Sequence, residues 1–441
     1  MKKWILLAAA AMMIFALTAC SSATKSGSSA SGGAKLPDKL SKPVTITFWH
    51  AMNGGQEKAL QQLVTEFEQQ HKNITVKLVN QGAYNDLSTK LTAAAKAHTL
   101  PVMAQAYENW MSGYIKNNLI DDLTTYENSS KYGWSASDKK DIVKVFLDSN
   151  TFNGKLYGVP FNKSTEVLFY NTDYLKQHDL AVPKTWSELK NVAEQTTGTV
   201  NGKKVVGLGF ENSIGFDFPS WVRQAGGQYA NEKANKLLFN SKQGKAALNF
   251  LDSMMKEGSA RLAGEDNYMS GPFSNGNVAM YIGSSAGMSF VQSGAKGKVN
   301  WATAPLPKDK VAATPFQGTN LVMFSSATAD QKLAAWELMK FLSDNKQTME
   351  WAKATGYVPV RLSVLSDPQW KSFVKANPTY AAAEKQFGSG FFELRSPGTD
   401  QVSNVLTQEM QAVFLGKETV DQALQNATTK GQQVLEQAKS N

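Results

Sequence analysis

A chain of 441 residues, 42% hydrophobic, 19% charged and 10% aromatic, has the composition of a water-soluble globular protein long enough for two or more domains. Its single cysteine excludes an internal disulfide framework and a cysteine-cluster metal site. The net charge of +9 comes from interspersed acids and bases without a long lysine or arginine run, so it is a mild bias toward anions and excludes a nucleic-acid footprint.

The chain opens with Lys2 and Lys3 before an apolar run over residues 4–17, the pattern of a secretory signal segment. That run is shorter than the roughly 20 residues a membrane-spanning helix needs. Leu17, Thr18, Ala19 and Cys20 follow it and resemble the lipobox of bacterial lipoproteins, where cleavage leaves the cysteine as a lipidated N-terminus. The expectation is a signal peptide over 1–19, lipidation at Cys20, and a flexible Ser/Gly/Ala tether through residue 41. This would hold the body at the outer face of the cytoplasmic membrane.

Order begins near Leu36. Val44, Ile46 and Phe48 alternate with Thr45, Thr47 and Trp49, a strand period. Asn53-Gly54-Gly55 breaks it, and Leu60, Leu63, Val64 and Phe67 then recur at helical spacing. Ile74, Val76 and Leu78 alternate again. Strand, helix and strand within about 35 residues is a βαβ unit, which implies parallel pairing and an α/β class. Alternation returns at "LYGVPF", "KVVGLGF", "NVAMYI" and "KVNWATAPLP"; the end of the chain reads as helices, with Leu406, Met410 and Val413 on one face and Val420 and Leu424 following.

Six blocks, "ITFWHAMNGG", "YGVPFNKSTEVLFYN", "PKTWSEL", "NGNVAMYIGSSAG", "PFQGTNLVMF" and "WAKATGYVPV", run in the order found in extracellular solute-binding proteins of carbohydrate-type ABC importers. The chain resembles that family from residue 42 to its end. "ITFWH", "GAY", "AYEN" and "TGYVPV" are most similar to the glycerol-3-phosphate and glycerophosphodiester-binding branch. The resemblance implies a periplasmic-binding-protein-like α/β fold whose two lobes, joined by three hinge crossings, close on ligand. The crossings fall near 160–162, 316–318 and 355–357. They divide the body into an N-lobe of 42–160 plus 318–354 and a C-lobe of 161–317 plus 355–441. The implied function is capture of glycerol-3-phosphate or a glycerophosphodiester and delivery to membrane permease subunits, by a monomer without catalysis or cofactor. The alternative is a neutral sugar or oligosaccharide on the same scaffold.

Candidate ligand residues carry two readings each. Tyr84, in the polar loop "NQGAYND", can stack on or hydrogen-bond a ligand, or anchor its loop. Glu108, in "AYENW", can accept two hydrogen bonds from a vicinal diol, or stand as a solvated charge. Ser164 and Ser284 follow apolar strand-like residues, where hydroxyls and backbone N–H groups suit a phosphate and equally suit a turn or helix cap. Gly318 allows close backbone approach to ligand, or simply a hinge. The resemblance adds Tyr357, and places Arg395 on the phosphate, where a guanidinium can fork onto two oxygens. Lys163 either adds positive charge to the cleft or faces solvent. Relatives that hold choline use an indole in the stretch matching "GFENSIGF"; Asn212 or Ser213 stands there in this chain, with Phe216, Phe218 and Trp221 as substitutes.

Enzyme and metal readings fail on order and spacing. Gly283, Ser284, Ser285, Ala286 and Gly287 match the G-x-S-x-G of serine hydrolases, but His50, His71, His98 and His178 all precede the serine, where that fold places its base after it. No two histidines sit at i, i+3 or i, i+4, and neither H-E-x-x-H nor a phosphate-binding G-x-x-x-x-G-K-[ST] occurs.

Overall fold

The computed structural model describes residues 36–440, with Asp38, Asn201 and Glu393 excepted. The expected signal segment, the lipidation at Cys20 and most of the tether lie outside these residues. From Leu36 onward the chain forms one compact unit. No helix among the described residues is long and apolar enough to cross a membrane.

The predicted βαβ unit is present. Strand β1 (Val44–His50) buries Val44, Ile46, Phe48 and His50 and turns the residues between them outward. Helix α1 (Gly54–Gln70) buries Leu60, Leu63, Val64 and Phe67, the helical stripe read from the sequence. Each such side chain contributes about 1.5–3 kcal/mol when fully removed from water. Strand β2 (Ile74–Asn80) then pairs with β1 in parallel, from Val44 opposite Ile74 to His50 opposite Asn80. Helix α2 (Tyr84–Ala97), strand β3 (Met103–Ala106) and helix α3 (Glu108–Lys116) follow, with β3 parallel to β1 on its other edge.

Two long strands join this lobe to the next. Val159–Asn171 is almost wholly buried. Its first part pairs antiparallel with Thr314–Met323, with Lys163 opposite Gly318 and Ser164 opposite Gln317. Its second part pairs with Val278–Ser284 and with Trp301–Ala304. The sheet therefore runs without a break through Ala260–Leu262, Lys203–Phe210, Val278–Ser284, Val159–Asn171, Thr314–Met323, β3, β1 and β2. A further bridge ties Lys163 to Val358. The fold is α/β and periplasmic-binding-protein-like in its two-lobed plan.

Each lobe has its own core. Phe48, Phe67, Trp336 and Trp351 belong to the N-lobe cluster. Leu208, Phe210, Phe218, Trp221 and Leu424 belong to a C-lobe cluster, where the helices Thr399–Phe414 and Val420–Ser440 bury the apolar face read from sequence. A third cluster, with Phe146, Phe169, Tyr281, Phe316 and Trp370, packs around the crossing strands. Among the described residues, Trp134, Trp186, Trp221, Trp336, Trp351 and Trp370 are buried in these cores.

Candidate functional site

The crossing strand Val159–Asn171 carries Asn162, Lys163 and Ser164 in succession, all buried. Neighbouring residues of a strand point to opposite faces, so Asn162 and Lys163 organise different sides. The Asn162 amide nitrogen donates to the Tyr84 hydroxyl at 2.8 Å, and its oxygen accepts from Gln105 at 2.9 Å and Thr319 at 2.6 Å. Tyr84, the first residue of α2, meets the Tyr357 hydroxyl at 3.3 Å. Tyr357 stacks on Trp351, which stacks on Phe161. Burial, then the neighbouring Tyr357, holds the Tyr84 hydroxyl well above the ordinary tyrosine range, so it stays neutral and able to donate.

Lys163 falls under neither reading made from the sequence. It is fully buried, and its ammonium donates to Glu108 Oε1 at 2.6 Å and to the Gly318 carbonyl at 3.2 Å. The same carboxylate oxygen accepts from the Ser149 hydroxyl at 3.0 Å. Glu108 is thus a buried partner of a cation, not the solvated charge of the blander expectation, and a diol would have to share it with Lys163. Burial holds the Lys163 ammonium below the ordinary lysine range, and Glu108 offsets only part of that shift.

Gly318 has φ +92, and a Cβ there would stand 2.0 Å from the Asn162 carbonyl oxygen. Only glycine permits this approach of the two crossing strands. Ser284 caps the short turn Ser285–Gly287, its hydroxyl accepting from the Ala286 amide at 3.2 Å. That is the cap chemistry of the alternative reading, although the residue remains partly exposed. The match to a hydrolase elbow is this small-residue turn.

Arg395 is employed by the protein. Its Nε donates to Glu232 at 2.8 Å, and its Nη1 to the carbonyls of Asp148, Ser149 and Thr151 at 3.0–3.2 Å. The guanidinium also covers the Phe152 ring. Ser149 therefore joins Arg395, through its carbonyl, to Glu108, through its hydroxyl. Tyr84, Glu108, Ser164, Gly318, Tyr357 and Arg395 are thus brought to one connected region. Ser284 stands beside it: Ser285 accepts from the Thr165 amide at 3.4 Å, and Gln56 of α1 reaches across to the Ala286 carbonyl at 3.4 Å.

Several site residues were missed. Tyr107 lies edge-on to both Tyr84 and Trp110, and Trp110 donates to Asp400 at 2.9 Å. Both aromatic residues flank Glu108 in "AYENW", so the signal was the aromatic pair around the chosen acid. Asn162 and Gln105 left none, since a buried amide in a strand has no sequence mark. Phe218 and Trp221, offered as replacements for a choline-binding indole, are packed into the C-lobe core and cannot line a cleft. The Asn212 side chain is taken up by the Gly264 backbone, with bonds of 2.7 and 2.8 Å in both directions.

Residues 62–382 match the family described as bacterial extracellular solute-binding protein. The chain belongs to that family. It is 25% identical over 427 residues to the sn-glycerol-3-phosphate-binding periplasmic protein UgpB of Escherichia coli K12, covering 91% of this chain and 95% of the relative. The protein of the same name from Pectobacterium atrosepticum is 26% identical over 413 residues, covering 88% and 91%. UgpB from Mycobacterium tuberculosis, solved with glycerophosphocholine, superposes with a TM-score of 0.80 at 23% identity, covering 89% of this chain and 99% of that one. A substrate-binding protein from Listeria monocytogenes in complex with cycloalternan gives 0.79 at 21%, with the same coverage. The chain is accordingly an extracellular solute-binding protein of an ABC importer.

Proposed function

We propose that this solute-binding protein captures glycerol-3-phosphate or a glycerophosphodiester and presents it, in a closed form, to its membrane permease. The observation that carries the reading is the meeting of Tyr84, Tyr357, Gly318 and the Glu108–Lys163 pair at the crossing strands. The UgpB relatives, alike over nine-tenths of the chain, support the ligand class. Neutral hydroxyl donors from Tyr84 and Tyr357 suit phosphate oxygens, and Glu108 suits a glycerol hydroxyl beside Lys163. Ligand would stabilise the closed form only through contacts that the open form lacks. The lobe boundaries given above, a monomeric state and an acyl anchor on Cys20 belong to the same proposal. No covalent step or cofactor is part of it.

One observation favours the neutral saccharide instead. Lys163 and Arg395 each already face a carboxylate, Glu108 and Glu232, which lessens the positive charge available to an anion. Isothermal titration of residues 21–441 with glycerol-3-phosphate, glycerophosphocholine and a maltose-type sugar, at low and high salt, separates the two. Saturable binding of a phosphate ester that weakens with salt is the expected result. Arg395→Ala should then weaken it by about 1.5–3 kcal/mol, the worth of a charge-assisted hydrogen bond. Sugar binding with no response to either ester would leave the family and discard the ligand.

A further inference from the structure

Helix α3 (Glu108–Lys116) has two faces. Met111 and Tyr114 are buried in a cluster with Leu87, Val322 and Phe324. Ser112, Gly113 and Lys116, with Trp110 at their flank, instead meet residues 283 to 323 positions away along the chain. Trp110 Nε1 donates to the Asp400 carboxylate at 2.9 Å. The Ser112 hydroxyl donates to the Arg395 carbonyl, and the Lys116 ammonium to the Lys439 carbonyl at 2.9 Å. A Cβ on Gly113 would stand 3.8 Å from the Pro397 Cβ.

The partners of α3 are rooted in a different core. Arg395 to Asp400 lead into the helix Thr399–Phe414, which places Val402, Leu406, Met410 and Val413 in the C-lobe cluster. Lys439 lies at the end of the helix Val420–Ser440, which adds Leu424, Ala427 and Leu435 to that cluster. The seam therefore joins the two bodies without passing through the crossing strands. It is also polar and wet: Trp110, Ser112, Pro397 and Asp400 are half-buried and Lys116 is exposed. Contacts of that kind mark surfaces that part and meet again, where a permanent joint would be larger and apolar.

We propose that this face of α3 is an interlobe latch, made on closing and broken on opening, which holds the closed form by contacts of the protein with itself. It rests on the lobe division proposed above and holds for an ester or a saccharide alike. Trp110 and Asp400 are positioning residues: with Ser112 on the Arg395 carbonyl, they bring Arg395 to the carbonyls of Asp148, Ser149 and Thr151. Latch strength sets the population of the closed state, so it scales the affinity for every ligand by the same factor and leaves selectivity to the cleft.

The test is a reversible cross-link. Cys20, the chain's one cysteine, lies outside residues 21–441, and the Gly113–Pro397 spacing matches the roughly 3.8 Å between the Cβ atoms of a disulfide. In Gly113→Cys with Pro397→Cys, oxidation without ligand should lower the radius of gyration measured by small-angle X-ray scattering, and reduction should restore it. Adding Asp400→Ala should slow cross-linking about tenfold, the loss of one hydrogen bond to a charged group. Trp110→Phe, which removes only the N–H donor, should do the same, and Asp400→Asn, which keeps a carbonyl for Trp110, should restore most of the rate. Glycerol-3-phosphate and maltose are then added separately to the reduced protein. The one that binds should speed cross-linking, and it should fail to enter protein oxidised beforehand. The latch is overturned by an equal radius in both forms, by the absence of a cross-link, or by a cross-linking rate that Asp400→Ala and Trp110→Phe leave unmoved even where the melting temperature falls. A change of radius that stands while glycerol-3-phosphate has no effect overturns the proposed ligand and leaves the latch.

Discussion

Lys163 and Glu108 form an ion pair in which the lysine has no exposure to water and the glutamate almost none. Taking both charges out of water costs several kcal/mol, so neither is stable there without the other. Lys163→Met should destabilise the fold by about 3–5 kcal/mol, because the Glu108 carboxylate is left buried with Ser149 alone. The double variant Lys163→Met with Glu108→Leu should recover much of that loss, and chemical denaturation of the single and double variants measures the coupling. Glu211, which follows the strand Lys203–Phe210, poses the opposite case, a carboxyl that burial first and then Asp217 raise from 4.5 to about 7 in the folded chain. Between those values the native state keeps a proton that the unfolded chain has given up. Stability from this group is full below pH 4.5 and falls by up to about 3 kcal/mol as pH rises through 7. Glu211→Gln should therefore raise the melting temperature at pH 8 relative to wild type, and leave it nearly unchanged at pH 4.5.

The element that organises the site is the pair of crossing strands. Thr314–Met323 has its register shift between Thr319 and Asn320, one residue beyond Gly318. This irregularity brings Thr319 onto Asn162 at 2.6 Å and Asn320 onto Asn150 at 2.7 Å. Gly318→Ala places a methyl 2.0 Å from the Asn162 carbonyl at a left-handed φ, so the strands must separate. The expected cost is about 3 kcal/mol, from overpacking and backbone strain together, with loss of ligand affinity because Asn162 positions Tyr84. Thermal denaturation and titration of one preparation check both. A glycine in "FQGTN" was legible as special; which strand it had to let pass was not. A cap is local by contrast: Thr185 in "PKTWSEL" accepts from the Glu188 amide at 3.2 Å and Glu188 accepts from the Thr185 amide at 3.2 Å, a closed capping box within four residues.

Across the whole molecule, the contacts that define the site join residues far apart in the chain. Tyr84 meets Tyr357, Glu108 meets Lys163, Arg395 meets Glu232, and Gln56 meets the turn after Ser284. The α/β class, the βαβ opening and the apolar faces of α1 and of the helix Thr399–Phe414 were determined by the sequence itself. Burial there repeats with the period of strand or helix, and a period can be read within ten residues. The family followed from ordered blocks along the chain. What only the tertiary structure decided is the state of each charge. Lys163 could be a cleft cation or a surface one until the fold set Glu108 against it. Arg395 could be a free fork until Glu232 and three carbonyls closed on it, and Glu211 drew no notice until Asp217 and the Tyr268–Met269 turn surrounded it. Desolvation and pairing depend on what arrives from distant parts of the chain, and no local pattern encodes that arrival.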